Sequence, residues 1–147
     1  MDALSAVLSL LRLKGCVYFV HDFCTPWGMQ MDDGPFAQFH AVVRGQCRLT
    51  VAGRDIRLSA GDVVMFPKGS GHVLDDGRGG NAVPGMNVVT AHAGGQPLFQ
   101  TGEEGARLLC GHFELDRQVR HPVLDEIPAV VHAKGLATHE PGWLETV

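Results

Sequence analysis

The chain has 147 residues, enough for one domain at about 100–200 residues per domain, and 45% hydrophobic against 19% charged residues excludes wholesale disorder. A formal charge of −4 with no basic run argues against autonomous nucleic-acid binding, and no apolar stretch approaches the ~20 residues of a membrane-spanning helix. The opening Met1-Asp2-Ala3-Leu4 lacks the basic and apolar regions of a secretory leader, so the expected location is the cytoplasm.

Asp2 precedes Leu4, Val7, Leu8 and Leu11, an amphipathic stripe behind a capping residue, which predicts a short helix ending near Lys14-Gly15. Cys16 to Phe23 then reads as a strand stopped by Thr25-Pro26, and Met29–Pro35 as a loop. Short strands follow over Phe36–Arg44, Gln46–Val51, Arg54–Leu58, Asp62–Phe66 and Gly71–Leu74, each closed by a Gly-bearing turn. With 19 Gly and 8 Pro in the chain, this spacing predicts an antiparallel sandwich or barrel. Residues 75–105 show little periodicity and read as a flexible insertion over 76–105. Arg107–Leu115 resumes a strand, His121-Pro122 starts a helical turn, and Ala129–Ala133 is a last strand. Trp143–Val147 reads as the start of a C-terminal helix or linker within a single domain spanning 1–147.

The most specific stretch is Gly61–His72, which fits G-x5-P-x-G-x2-H on Gly61, Pro67, Gly69 and His72. It resembles the second motif of the cupin superfamily, and Phe39–Gly45 with Leu49, Val51 and Gly53 resembles the end of the first. The resemblance implies a mostly β, cupin-type jelly-roll barrel with a short N-terminal helix and a Gly-rich insertion. Gly61 turns the chain into a strand, Pro67 and Gly69 make the hairpin turn, and His72 returns into the barrel. The metalloenzyme pattern is broken, because the Glu position falls on Gln38 and no His pair precedes it.

A narrower resemblance rests on Met-Asp-Ala-Leu-Ser at the start, Thr25-Pro26-Trp27-Gly28, Phe39-His40, the Pro67–His72 turn, Leu109–Phe113 and Trp143-Leu144. In order and spacing these are similar to the N-terminal cupin sensor domain, of the cupin-6 class, in AraC-type transcriptional regulators. That resemblance implies a non-catalytic, effector-sensing domain. Its partners would be a small-molecule or metal effector and a second copy of the chain, and DNA would be reached only through an attached helix-turn-helix domain.

His40, His72 and Cys110 come from three strands and are expected to converge in the barrel as a zinc (or other divalent transition metal) set. His21 is the expected fourth ligand and His112 the second choice for it. Trp27 and Gln38 are the candidate ligand contacts, Trp27 reading first as a core plug that a barrel-mouth ligand could also meet. Cys110 and Cys24 are the redox candidates, while Cys16 and Cys47 read as packing. His92, His121, His132 and His139 have no partner at recognisable spacing and read as surface or loop residues. The expected mechanism carries a change around His40 and His72 to the helix beginning near Trp143. Two rival readings are a cupin enzyme with a degenerate metal site and a structural or dimerisation module without a ligand.

Overall fold

The computed structural model describes residues 15–78, 82–113 and 128–135. The helix expected over 2–14, the turn at His121-Pro122, His139 and the segment 143–147 lie outside the described residues. Among the described residues, ten strands form two five-stranded sheets. The first holds β1 (Gly15–Thr25), β9 (Glu103–Phe113), β3 (Ala37–Arg44), β6 (Val63–Phe66) and β10 (Val131–Ala133), in that order. The second runs β5 (Arg54–Ser59), β4 (Gln46–Val51), β7 (His72–Asp75), β2 (Gly28–Met31) and β8 (Val83–Pro84). Pairing is antiparallel except between β2 and β8, which run parallel.

Turn glycines fix this path. Gly45, Gly53, Gly61 and Gly69 all take positive φ, between 72° and 95°, where a side chain is strained. At Gly69 the constraint is doubled, because a Cβ would collide with the carbonyl oxygens of Gly34 and Phe36. Alternation then sorts the side chains. Along β4, Cys47, Leu49 and Val51 are buried while Gln46 is exposed. Inner faces of both sheets meet in one apolar core that includes Phe19, Phe23, Leu49, Phe66, Leu74 and Leu108.

Three expectations are corrected. The loop expected over Met29–Pro35 begins as strand β2, because Met29 and Met31 alternate with exposed Gln30 and pair with Leu74 and His72 of β7. Within the segment expected to be an insertion without secondary structure, β8 is followed by helix α1 (Gly85–Ala93), which packs on β1 and β2. The helix buries only Gly85 and Val88, so it leaves almost no apolar stripe in the sequence. Strand β9 also starts four residues earlier than expected, at Glu103.

Candidate functional site

His40 lies on β3 opposite Val64 of β6 and Cys110 of β9, and His72 opens β7 opposite Met31 of β2. Each sheet therefore contributes one histidine to this pair. Their Nε2 atoms meet at 2.8 Å, and Phe66 stacks flat on the His72 ring at 3.6 Å. Both imidazoles are buried, at 1% and 4% exposure.

The hydrogen bonds order the protons. His72 Nδ1 lies 2.9 Å from the Ser70 carbonyl, which can only accept, so His72 carries its proton on Nδ1 and its Nε2 is bare. His40 Nε2–H then donates to His72, and His40 Nδ1 is left as a bare, buried acceptor with no hydrogen-bond partner. Burial is the leading cause that keeps both rings neutral. It holds His72 down to about 4, partly opposed by the Ser70 carbonyl, and with His72 alongside it holds His40 well below the ordinary histidine range.

These residues do not fit the expected zinc set. Two imidazole nitrogens on one tetrahedral ion stand roughly 3.3 Å apart at zinc–nitrogen distances of about 2.0–2.1 Å, whereas this pair is closed by a direct hydrogen bond. Among the described residues no three His, Cys, Asp or Glu side chains are grouped to hold a metal ion. His21 is opposite Leu108 on β9, one strand beyond β9 from His40 and two residues along, roughly 12 Å away by strand spacing. Its own partners are elsewhere: Nε2–H donates to the Leu98 carbonyl at 2.8 Å, and Nδ1 faces His92 Nδ1 at 3.0 Å. His112 lies against the rings of Tyr18 and Phe36. Cys110 is fully buried between Phe19 and His40 in the sheet, and burial pushes its thiol well above the ordinary range, with Cys47 adding to the effect. A thiol so placed lacks the thiolate character of a redox site. Cys24 is a free, half-buried thiol at the end of β1.

Gln38 precedes His40 by two residues on the same face of β3, and here the expectation of a ligand contact finds a cavity. A cleft of about 310 Å³ opens between β2, β3 and the start of α1. Gln38, Gln30, Asp32 and Asp33 line it beside Tyr18 and Phe36. Met31, Pro84 of β8 and the start of α1, Gly85 and Met86, add to the wall. Gln38 Oε1 is itself buried with no hydrogen-bond partner. Trp27 does not reach the cleft. It is 2% exposed and packs its ring on Phe23 at 4.5 Å, so its expected ligand contact is corrected to a core role.

Two histidines read as partnerless in sequence have partners. His92 of α1 bonds to His21, and His132 of β10 lies 3.2 Å from the Asp62 carboxylate. Sequence separations of 71 and 70 residues leave no spacing signal for either.

Two facing sheets with a short hairpin at Pro67–His72 and a cleft at one end define a cupin-type jelly-roll domain. The Cupin_6 model, described as Cupin, matches residues 2–147, and the chain belongs to that family. A Streptomyces lividans protein named as an AraC-like transcription regulator is 27% identical over 150 residues, which is 95% of this chain and 46% of that protein. An HTH-type transcriptional regulator of Haemophilus influenzae is 26% identical over 117 residues, covering 77% of this chain and 39% of the relative. The chain thus spans less than half the length of these relatives. Among solved structures, apo ToxT from Vibrio cholerae is similar in fold at a TM-score of 0.52 and 9% identity, over 90% of this chain and 47% of that one. The family match assigns the cupin fold class, and these relatives are themselves named as transcription regulators. No helix among the described residues is long and apolar enough to cross a membrane.

Proposed function

We propose that this chain is the effector-sensing, non-catalytic half of an AraC-type regulator, and that the effector is a small molecule bound in the cleft beside Gln38. The observation that carries the reading is a cleft lined by Gln38, a residue whose amide oxygen Oε1 is buried without a hydrogen-bond partner. An unmet buried acceptor costs about 1–3 kcal/mol, and a ligand donor would recover that cost. Signal transmission follows from the lining. The ligand would touch the first turn of α1, whose far end holds His92 against His21 of β1. A shift of α1 would therefore reach the first sheet and bias the DNA-binding half, which lies in another part of the whole regulator.

The test is a thermal-shift screen of the chain against a metabolite library, with wild type and Gln38→Leu side by side and a Zn2+ arm. Small molecules that raise Tm for wild type and lose the effect in Gln38→Leu support the reading. Stabilisation by Zn2+ alone, abolished by His72→Ala, would overturn it in favour of a metal sensor.

A further inference from the structure

The cleft's lining also selects among ligands, and the inference drawn from it rests on the effector reading of the same site. We propose that the cleft takes an amphipathic organic cation, an ammonium group on a compact apolar body.

Charge is the first argument. Asp32 and Asp33 both line the cleft, while no Lys, Arg or His does so among the described residues. Several acids elsewhere are paired with arginine, Asp22 with Arg44 and Arg107, Asp75 with Arg48, and Glu104 with Arg44, while Asp55 and Asp76, like the cleft pair, have none among the described residues. Asp32 and Asp33 have no ion-pair partner among the described residues. Asp33 is nevertheless fixed, since its Oδ1 accepts the Gly71 N–H at 2.6 Å and leaves Oδ2 for another donor. The start of α1 adds positive potential equivalent to about half a charge. Two carboxylates outweigh it, so the cleft attracts cations and repels anions.

Hydrogen-bonding capacity is the second. Gln38 Oε1 needs a donor, and Gln30 stands on the same wall. An ammonium carries three donors and no acceptor, matching carboxylate and amide oxygens together. The third argument is the apolar rim. Phe36 and Met86 are 41% and 58% exposed, unusual for large hydrophobic side chains, and both line the cleft with Tyr18 and Met31. Aromatic faces and thioethers suit an apolar body and also hold a cation over a ring. At about 310 Å³ the space is at the small end of ligand cavities.

The test compares n-hexylammonium, 1-hexanol and hexanoate at pH 7 and low salt. Binding is followed by amide NMR shifts at Gln30, Asp33, Gln38 and Met86, in wild type and in Asp32→Asn/Asp33→Asn. Asparagine at position 33 keeps the oxygen that accepts from Gly71, so the variant is expected to fold, and its unfolding curve checks this. Wild type should bind hexylammonium about tenfold tighter than hexanol and hexanoate most weakly. The variant should lose about three- to tenfold for hexylammonium and nothing for hexanol, in line with two exposed charge pairs. Equal or tighter hexanoate binding, or an unchanged variant, overturns the cation class. Shifts at the cleft with hexanol or hexanoate alone leave the effector reading standing while the cation class falls. If no probe shifts a cleft amide, the cation class falls and the metabolite screen decides the effector reading.

Discussion

The His40–His72 pair predicts a particular loss of stability with acid. The folded state holds His72 at about 4 against an ordinary value of 6.5, and burial, with His72 alongside, also holds His40 well below that ordinary value. Between pH 6.5 and pH 4 the unfolded chain therefore binds protons that the folded chain refuses. Stability is complete above pH 6.5 and falls as pH drops through that window. At 1.36 kcal/mol per pH unit, His72 alone accounts for about 3 kcal/mol of loss by pH 4, with a further contribution from His40. His40→Leu/His72→Leu removes both titrating groups and exchanges a hydrogen-bonded pair for apolar side chains, leaving no orphaned partner. Urea unfolding at pH 7, 6, 5 and 4 should show the wild type losing at least 3 kcal/mol more than the double variant. His21, also lowered chiefly by burial, falls in both proteins and cancels in the difference. Parallel loss in the two proteins would refute the neutrality of the pair in the folded state. The single variant His40→Leu should be less stable than the double one at pH 7 by about 1–3 kcal/mol, because His72 Nε2 loses its donor.

Three further outcomes follow from the packing. Gly69→Ala should lower Tm by about 10 °C, as its Cβ meets two carbonyl oxygens at a positive φ; a loss under 2 °C would contradict the turn geometry. Arg48→Met strips two hydrogen bonds, of 3.0 and 3.1 Å, from the buried Asp75 carboxylate and should lower the urea midpoint; an unchanged midpoint would contradict the pairing. In thiol labelling of the native protein, exposed Cys16 should react first and half-buried Cys24 more slowly, with Cys47 and Cys110 reacting only on unfolding. Labelling of native Cys110 at the rate of Cys16 would contradict its burial.

Much of the barrel was legible because its punctuation is chemical. The turns after β3, β4 and β5 are marked by Gly45, Gly53 and Gly61, each of which takes the positive φ that a tight turn requires. The Pro67–Gly69 hairpin likewise announces that His72 returns to the interior, where it meets His40. Strand β2 was hidden because four residues give only one alternation, Met29 and Met31 around Gln30. Helix α1 was hidden for a different reason. Val88, Val89 and Thr90 are β-branched and weak helix formers, and tertiary packing on β1 and β2 outweighs their propensity.

At the site, alternation correctly put Gln38, His40 and Cys110 on inner faces, yet sharing a face does not make residues ligands of one ion. The distances that separate His21 from His40, and the hydrogen bond that closes His40 on His72, depend on how two sheets stack. No local pattern encodes that stacking. The carboxylates of Asp32 and Asp33 read as turn residues in sequence and become cleft residues only when α1 folds back over β2.

The central claim is that a ligand in the Gln38 cleft governs a transcription response. It is tested most directly by promoter output in cells carrying the full-length regulator, titrated with a molecule that raises Tm in the screen. The account predicts a dose-dependent change for wild type that shifts to at least tenfold higher concentration, or disappears, in Gln38→Leu of equal abundance. An identical response in both would contradict it and place the effector elsewhere.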